Sequence, residues 1–466
     1  MSEDDGVHST KQIHPSKPPN GFKLNNQGLM VTLKLALIGV VIILMCIPLF
    51  LVTGIIEERE SYGQTAKATI ASGWAGEQTI KGPVLTIPYL IAEKGKDGKI
   101  IKLRKYAHFL PDILSIKGKL IPEIRQKGIF SKVVYLSELV LSGDFRLQNQ
   151  SRNLFKRVDQ SDIEYKDAFV SFGVSDLKGL GGEPVFDWNG QKLPIQPGVL
   201  TQKIFLTGMH AQTALNQTSQ TIPFKLDLKL KGSDSLYFAP LGKRTNVKLS
   251  SRWADPSFIG SFLPNRREVK PEGFKADWDI SYLARSYSQS WLDDDFDNSN
   301  ILAMTIDDSR SGISLLQPVD AYRNAVRAAK YGILFISLVF LVFFCFEIIQ
   351  KLKIHPFQYI LVGQAMTIFY LLLLSFSEFI DFLTAYLIAS ISTTGLIGAY
   401  TYSITKSTHK GLWGIMVAVL VGIYAYLYTL LQLQDTSLLI GSIGLFIGLA
   451  FLMYITRKIE WYKNHD

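Results

Sequence analysis

Six predominantly apolar runs constrain this chain before anything else. Crossing about 30 Å of hydrocarbon takes about 20 apolar residues in a helix, which rises about 1.5 Å per residue and meets its own backbone hydrogen bonds. The first run, MVTLKLALIGVVIILMCIPLFLVTGII, covers residues 30–56, with a lysine near its N-terminal end and a kink expected at Pro48. It is too long for a signal-peptide core and no small-residue cleavage motif follows, so it reads as an uncleaved anchor. The other five crowd the C-terminal third, at 331–349, 357–376, 380–402, 412–431 and 437–455.

Composition agrees: 47% of the 466 residues are hydrophobic and only 19% charged, with a mean hydropathy of +0.17, as a membrane protein with a sizeable soluble part should have. The net charge of +9 comes with no basic run interleaved with aromatics, which argues against nucleic-acid binding. Much of the excess falls beside the spans. With the N-terminus inside, the inner segments hold Lys11, Lys17, Lys23, Lys351, Lys353, Lys406, Lys410, Arg457, Lys458 and Lys463. The short outer loops SFSEFID and QLQDTS hold only Glu378, Asp381 and Asp435. That is the positive-inside pattern, and Arg323, Arg327 and Lys330 follow a long translocated domain, which is exempt from it. The expected organisation is a disordered cytoplasmic tail (1–29), a first span (30–56), an extracytoplasmic domain (57–328), a bundle of five spans (329–457) and a cytoplasmic tail (458–466). The partner this organisation implies is the lipid bilayer.

The external domain reads as mainly β. In FKLDLKLK, Phe224, Leu226, Leu228 and Leu230 alternate with polar residues, and GFKADWDISYL repeats the pattern through Phe274, Ala276, Trp278, Ile280 and Tyr282. KVVYLSELVLSGDF and VLTIPYLIAE add strand-like runs, and EKGKDGKI fits a hairpin turn. The expected fold is largely antiparallel, as two packed sheets or two sub-domains. A faint echo links LVLSGDF with LKLKGSDSLYF. Both cysteines, Cys46 and Cys345, lie in spans, so the domain relies on its core and not on disulfides. Polar helices are expected to connect it to the membrane, over 57–73 and 318–330.

Motifs for chemistry are sparse. His108 and His210 sit in no metal spacing and beside no GxSxG turn, and read as surface or structural. SWLDDDFDNSN spaces Asp293, Asp295 and Asp297 as a calcium loop does, but Asn298 and Met304 stand where an EF-hand needs glycine and glutamate, leaving a solvated loop. Neither GxxxxGK[ST] nor GxGxxG in a dinucleotide context occurs. No catalytic residue, metal site or cofactor is assigned, and an enzyme is not expected. Within the spans Glu347 is the one clear ionisable residue, near the cytoplasmic end and within reach of Lys351; Gln364 and Thr393 are the other intramembrane polar candidates. Gly444 and Gly448 form a GxxxG spacing suited to close helix packing.

Long ordered segments then carry a specific resemblance: IIEERESYGQTAKATIASGWAGEQTIKGPVLTIPY, FLPDILSIKGKL, RREVKPEGFKADWDISYLARSYSQSW, SLLQPVDAYRNAVRAAKYGILFISLVFLVFFCFE and IHPFQYILVGQAMTIFYLLLLSFSEFI. From about Leu33 to about Arg457 the chain resembles the CreD family of bacterial inner-membrane proteins. The resemblance implies a Gram-negative inner-membrane protein with a periplasmic domain. It also implies a role in cell-envelope integrity, with links to a two-component stress regulon, colicin tolerance and, in some bacteria, β-lactam response. It supplies no reaction and no catalytic residue. The preferred expectation is a non-enzymatic envelope protein whose domain contacts an envelope protein, lipid or glycan. The interaction surface is sought around Trp278, Arg285 and Trp291, although alternation also makes Trp278 a core position. The alternatives are a transporter or lipid-handling protein with a cavity lined by Glu347, Gln364 and Thr393, and an envelope hydrolase with a clustered Ser, His and acid.

Overall fold

The computed structural model describes residues 26–457 apart from 95–99, 148–150, 152, 153, 157, 202, 203, 216–220, 296–298, 316–320, 350–353, 406–411 and 434–436. Most of the expected N-terminal tail, the centre of the EKGKDGKI turn, Lys351, Lys353, Lys406, Lys410, Asp435 and the tail after Arg457 lie outside the described residues. The chain divides into two compact units, residues 59–320 and residues 1–58 with 321–466. The division falls inside α1 (Asn26–Trp74), one 49-residue helix that continues through Pro48 and replaces its apolar run at Glu57 with a polar one. The expected polar connector is thus the second half of the first helix.

The unit 59–320 is built from two sheets. In chain order its strands are β1 (Gln78–Lys94), β2 (Ile100–Phe109), β3 (Ile113–Lys127), β4 (Phe130–Phe145), β5 (Phe169–Val174) and β6 (Val185–Trp188). Next come β7 (Gln191–Leu193), β8 (Gln196–Pro197), β9 (Gly208–Gln212), β10 (Ile222–Ser233), β11 (Ser235–Phe238) and β12 (Arg244–Ser251). Last are β13 (Pro256–Gly260), β14 (Arg266–Lys270), β15 (Gly273–Ser281), β16 (Ser290–Leu292), helix α2 (Ser299–Asp308) and β17 (Ser311–Leu315). One sheet runs β13-β17-β11-β1-β5-β9-β8, with β2 on β1 and β16 on β2; the other runs β14-β15-β12-β3-β4-β10-β6-β7.

Pairing is mostly antiparallel, as expected, but β1 pairs with β11 and β3 with β12 in parallel. Reading outward from that parallel join, the two sheets repeat the same succession of pair directions, although their strands interleave along the chain. The echo noticed in sequence does not mark this repeat, because it links β4 with β10, which are neighbours in one sheet. Both sheets contribute to a single apolar cluster that extends from Ile80 to Leu315. The alternation predicted for β10 and β15 is observed: Phe224, Leu226, Leu228, Leu230, Phe274, Ala276, Trp278 and Ile280 all face it. Each large apolar side chain buried there stabilises by about 2 kcal/mol.

The second unit comprises the first part of α1 with α3 (Ala321–Lys330), α4 (Gly332–Ile349), α5 (Pro356–Ser377), α6 (Phe382–Thr405), α7 (Leu412–Gln432) and α8 (Ser437–Thr456). The expected C-terminal spans reappear as α4 to α8 within a few residues. Among the described residues four helices, including α1, are singly long and apolar enough to cross a membrane, and α3 with α4, bent by 44°, makes a fifth if the pair is one span. In α8 the apolar stretch is the shorter Leu439–Gly448. IHPFQ explains the start of α5: His355 caps Phe357 N–H (3.2 Å), Pro356 opens the helix, and Gln358 returns to His355 N–H (3.0 Å).

Along α1, Ile38, Val41, Met45, Leu49, Val52 and Ile56 recur at three- and four-residue spacing and are buried against the bundle. Gly363 of α5 admits that stripe, since a Cβ there would lie 2.6 Å from Met45 Sδ and 2.9 Å from Phe340 Cζ. Of the GxxxG pair only Gly444 meets a neighbour, Tyr426 of α7, while Gly448 faces open space.

Candidate functional site

Of the three residues around which an interaction surface was expected, the two tryptophans are turned inward. Trp278 is only 2% exposed and Trp291 3%. Trp278 Nε1 donates to Phe262 O (3.1 Å), and its ring packs on Phe238 and Phe258. Alternation places it there, because residues on the inward parity of β15 face the opposite sheet. Trp291 stands opposite His108 in the β2–β16 register, with ring centroids 5.4 Å apart. Neither indole presents a surface, and Trp278 takes the core position that its alternation also allowed. Arg285 is half-buried over the Tyr287 ring at 4.3 Å and donates to Gln289. Burial lowers the pKa of its guanidinium and raises that of the Tyr287 phenol. Gln289 Nε2 in turn donates to Pro111 O (2.7 Å), so this polar group fastens the 285–289 segment to the β2–β3 turn.

His108 does find a hydroxyl and an acid. His108 Nδ1 lies 3.0 Å from Thr86 Oγ1 and its Nε2 3.1 Å from Asp293 Oδ1. The types match a nucleophile, base and acid, but Thr86 and His108 are fully buried, so no substrate atom approaches the hydroxyl. The group joins β1, β2 and the turn at Asp293–Asp295 instead. Of the acidic run, Asp293 is only 11% exposed, whereas Asp295, whose Oδ2 accepts Leu292 N–H (2.8 Å), is exposed, as in a solvated loop. Asp297 and Asn298 lie outside the described residues. His210 is structural too, with Nδ1 2.8 Å from Gly198 O. Among the described residues no group of His, Cys, Asp and Glu is arranged to hold a metal ion.

The most developed charged site is in the helical unit. Glu347, 7% exposed at the end of α4, forms an ion pair with Lys34 of α1. Its Oε1 also accepts Ile354 N–H (3.0 Å) and its Oε2 accepts Tyr359 O–H (3.1 Å), while Lys34 Nζ donates to Ile354 O (3.1 Å). The carboxylate thus holds together α1, the α4–α5 connection and α5. The partner anticipated from sequence, Lys351, is outside the described residues, and Lys34 had been read only as a charge at the end of the first span. Gln364 is half-buried on α5 and Thr393 is 3% exposed on α6. Among the described residues no hydrogen bond joins Glu347, Gln364 and Thr393. Between α5, α6 and α7 the space is filled by aromatics: the Phe369 ring is 4.6 Å from that of Tyr424 and 5.5 Å from that of Tyr386. Tyr386 O–H donates to Tyr424 O (2.6 Å).

Comparison with known proteins bears on the whole chain. The family described as "Inner membrane protein CreD" matches residues 30–462. The inner membrane protein CreD of Escherichia coli (strain K12) is 32% identical over 433 residues, covering 92% of each chain. Among solved structures, a mutant M1 zinc metallopeptidase from Deinococcus radiodurans aligns over 37% of this chain and 39% of its own, at 12% identity and a TM-score of 0.17. That likeness is too slight to bear on the fold.

Proposed function

This chain belongs to the CreD family of inner membrane proteins, and from that premise we propose that it supports cell-envelope integrity or the envelope stress response through a periplasmic, non-enzymatic β domain. The observation that carries this reading is the order of the chain: residues 59–320 form a mainly β unit, and helices long and apolar enough to cross a membrane lie before and after it. In this reading the chain crosses six times, with both termini cytoplasmic and the domain contacting an envelope protein, lipid or glycan. The positive-inside distribution supports the orientation. Transport is the second reading, and it draws less support: Glu347 is held by three donors and aromatic rings fill the space between α5, α6 and α7.

Alkaline phosphatase fusions test the orientation. Activity after Gly232 and silence after Lys353 is the expected pattern, and the reverse overturns the topology and the function together. Photo-crosslinking from exposed positions of the domain in living cells then tests its role. Protein adducts favour a scaffold or stress-signalling role, lipid or glycan adducts favour lipid handling, and the absence of any adduct counts against contact-based function.

A further inference from the structure

The outer face of the second sheet carries a like-charge pair that nothing in the fold requires. β3 and β12 run parallel, and their register sets Lys117 directly opposite Lys248 and Lys119 opposite Ser250. The inward parity of the two strands places Ile116, Leu120, Val247 and Leu249 in the core, so the three lysines stand exposed on the other side. Residues opposite one another on neighbouring strands are about 5 Å apart, and like charges at that separation destabilise the pairing. The acids nearby do not relieve it. Glu138, opposite Lys119 on β4, lies 3.8 Å from Lys229 Nζ, and Asp227 lies 2.8 Å from Lys225 Nζ. Asp277 stands opposite Lys248 on β15, yet among the described residues neither it nor Lys117, Lys119 or Lys248 forms an ion pair.

These lysines line one end of a groove of about 720 Å³ whose other end is closed by Gly182, Glu183 and Val185. At Lys119 and Ser250 it meets a second groove, of about 290 Å³, where Arg252, Lys270 and Lys275 add cations. Of the two acids there, Glu268 is held by Lys270 at 2.5 Å, and Glu272 is the other. From Lys229 on β10 to Lys275 on β15 the joined grooves cross five strands, or about 19 Å.

We infer that this trough is a binding site for a chain-like polyanion carrying phosphate groups. The cations where the grooves meet are lysines, point charges that pair with phosphate oxygens without the planar fork by which arginine selects carboxylates. A phosphate between Lys117 and Lys248 replaces their repulsion by two attractions. Lys119 and Lys275, with the hydroxyl of Ser250 between them in register, stand along the next row for a second anionic group. A single tetrahedral ion would fill a small part of the trough, whereas several linked phosphates follow its length. A ligand of this class goes beyond the contact proposed above. It concerns residues 59–320 alone and is independent of the side of the membrane on which they lie.

The test uses the full chain in phosphatidylcholine nanodiscs at low salt, with sodium tripolyphosphate as the probe, read by isothermal titration and by thermal melting. Saturable binding is expected, weakened by about tenfold or more when Lys117→Gln and Lys248→Gln are combined. Lys166→Gln, which removes an exposed lysine outside both grooves, is expected to leave it unchanged. Without ligand the double variant is expected to melt higher than wild type, because the like-charge pair is gone, and its melting temperature no longer rises with tripolyphosphate. Lysines that merely serve the fold would move the ligand-free melt the other way, and that outcome overturns the premise. Unchanged affinity in the double variant, or an equal loss in Lys166→Gln, overturns the site. Inorganic phosphate that binds as tightly as tripolyphosphate overturns the chain-like ligand. Capture by phosphatidylglycerol vesicles without tripolyphosphate binding overturns it too and assigns the face to lipid. If wild type binds neither probe, this ligand is excluded while contacts elsewhere on the domain, and with them the proposed function, still stand.

Discussion

Glu347 was visible in the sequence as an ionisable residue in an apolar run, but its partner was not. Lys34 lies 313 residues away, and nothing local to either residue announces the pair. Removing one member of a buried pair leaves the other charge uncompensated, which costs about 3 kcal/mol, whereas replacing both by apolar residues is often neutral. Glu347→Ala is therefore expected to lower the thermal stability of the detergent-solubilised protein, and Lys34→Met with Glu347→Leu to recover most of the loss. A melting temperature for Glu347→Ala equal to wild type would show that the pair contributes nothing. His108, Thr86 and Asp293 were illegible for the same reason, with 185 residues separating the histidine from its acid. Asp112 offers a pH-dependent test. Burial chiefly, and then nearby Asp144, raise its pKa above the ordinary value. The folded state therefore holds this proton to higher pH than the unfolded chain does, and stability falls as pH rises through the folded value. Asp112→Asn keeps an acceptor for Arg146 N–H, so it is expected to melt higher than wild type at pH 7, with the gap closing as pH falls toward about 4. A gap that widens on acidification would reverse the sign of this argument.

Strands and helices with a clear period were legible at nearly their observed limits: FKLDLKLK in β10, GFKADWDIS as β15, and the C-terminal spans as α4 to α8. Elements without a period were not. FVSFGV in β5 is buried at every residue, so it lacks the alternation that marks a half-buried strand. The parallel joins of β1 with β11 and β3 with β12 were equally hidden, because partner choice is set by the assembled sheet and not by local sequence. Close approach between elements falls on particular glycines. A Cβ at Gly143 of β4 would lie 1.8 Å from Ile113 O, a backbone atom of the paired strand, whereas at Gly363 the nearest atom is the flexible Met45 Sδ at 2.6 Å. Gly143→Ala is thus expected to destabilise by about 3 kcal/mol, and Gly363→Ala by less than 1.5 kcal/mol or so, since only side chains must shift. Melting curves of the two variants check the order, and a larger loss at Gly363 would mean that the helical packing is the more rigid of the two.

At the scale of the molecule, the sequence located a large β domain between the first apolar run and the rest, and residues 59–320 form a compact unit that holds both sheets. What it left open, two sheets or two sub-domains, is resolved by the core: residues of both sheets belong to one apolar cluster, from Ile80 to Leu315. Charge patterns indicate sidedness but cannot reveal that two interleaved sets of strands will build sheets with the same succession of pair directions. A consequence for folding follows. All members of that cluster lie within residues 59–320, and both cysteines, Cys46 and Cys345, lie outside. A fragment of about 260 residues buries roughly three-quarters of its unfolded surface, enough for independent stability. Residues 59–320, retaining the Gly63–Trp74 part of α1 that packs on Phe130 and Tyr135, are therefore expected to fold without the helical unit, with β-type circular dichroism and one cooperative melt unaffected by reductant. Removing 59–74 as well exposes Phe130 and the carbonyl of Tyr135, and should lower the melting temperature without abolishing the fold. If the longer fragment is unfolded in solution, the β domain depends on the membrane unit for its core and the two units fold as one.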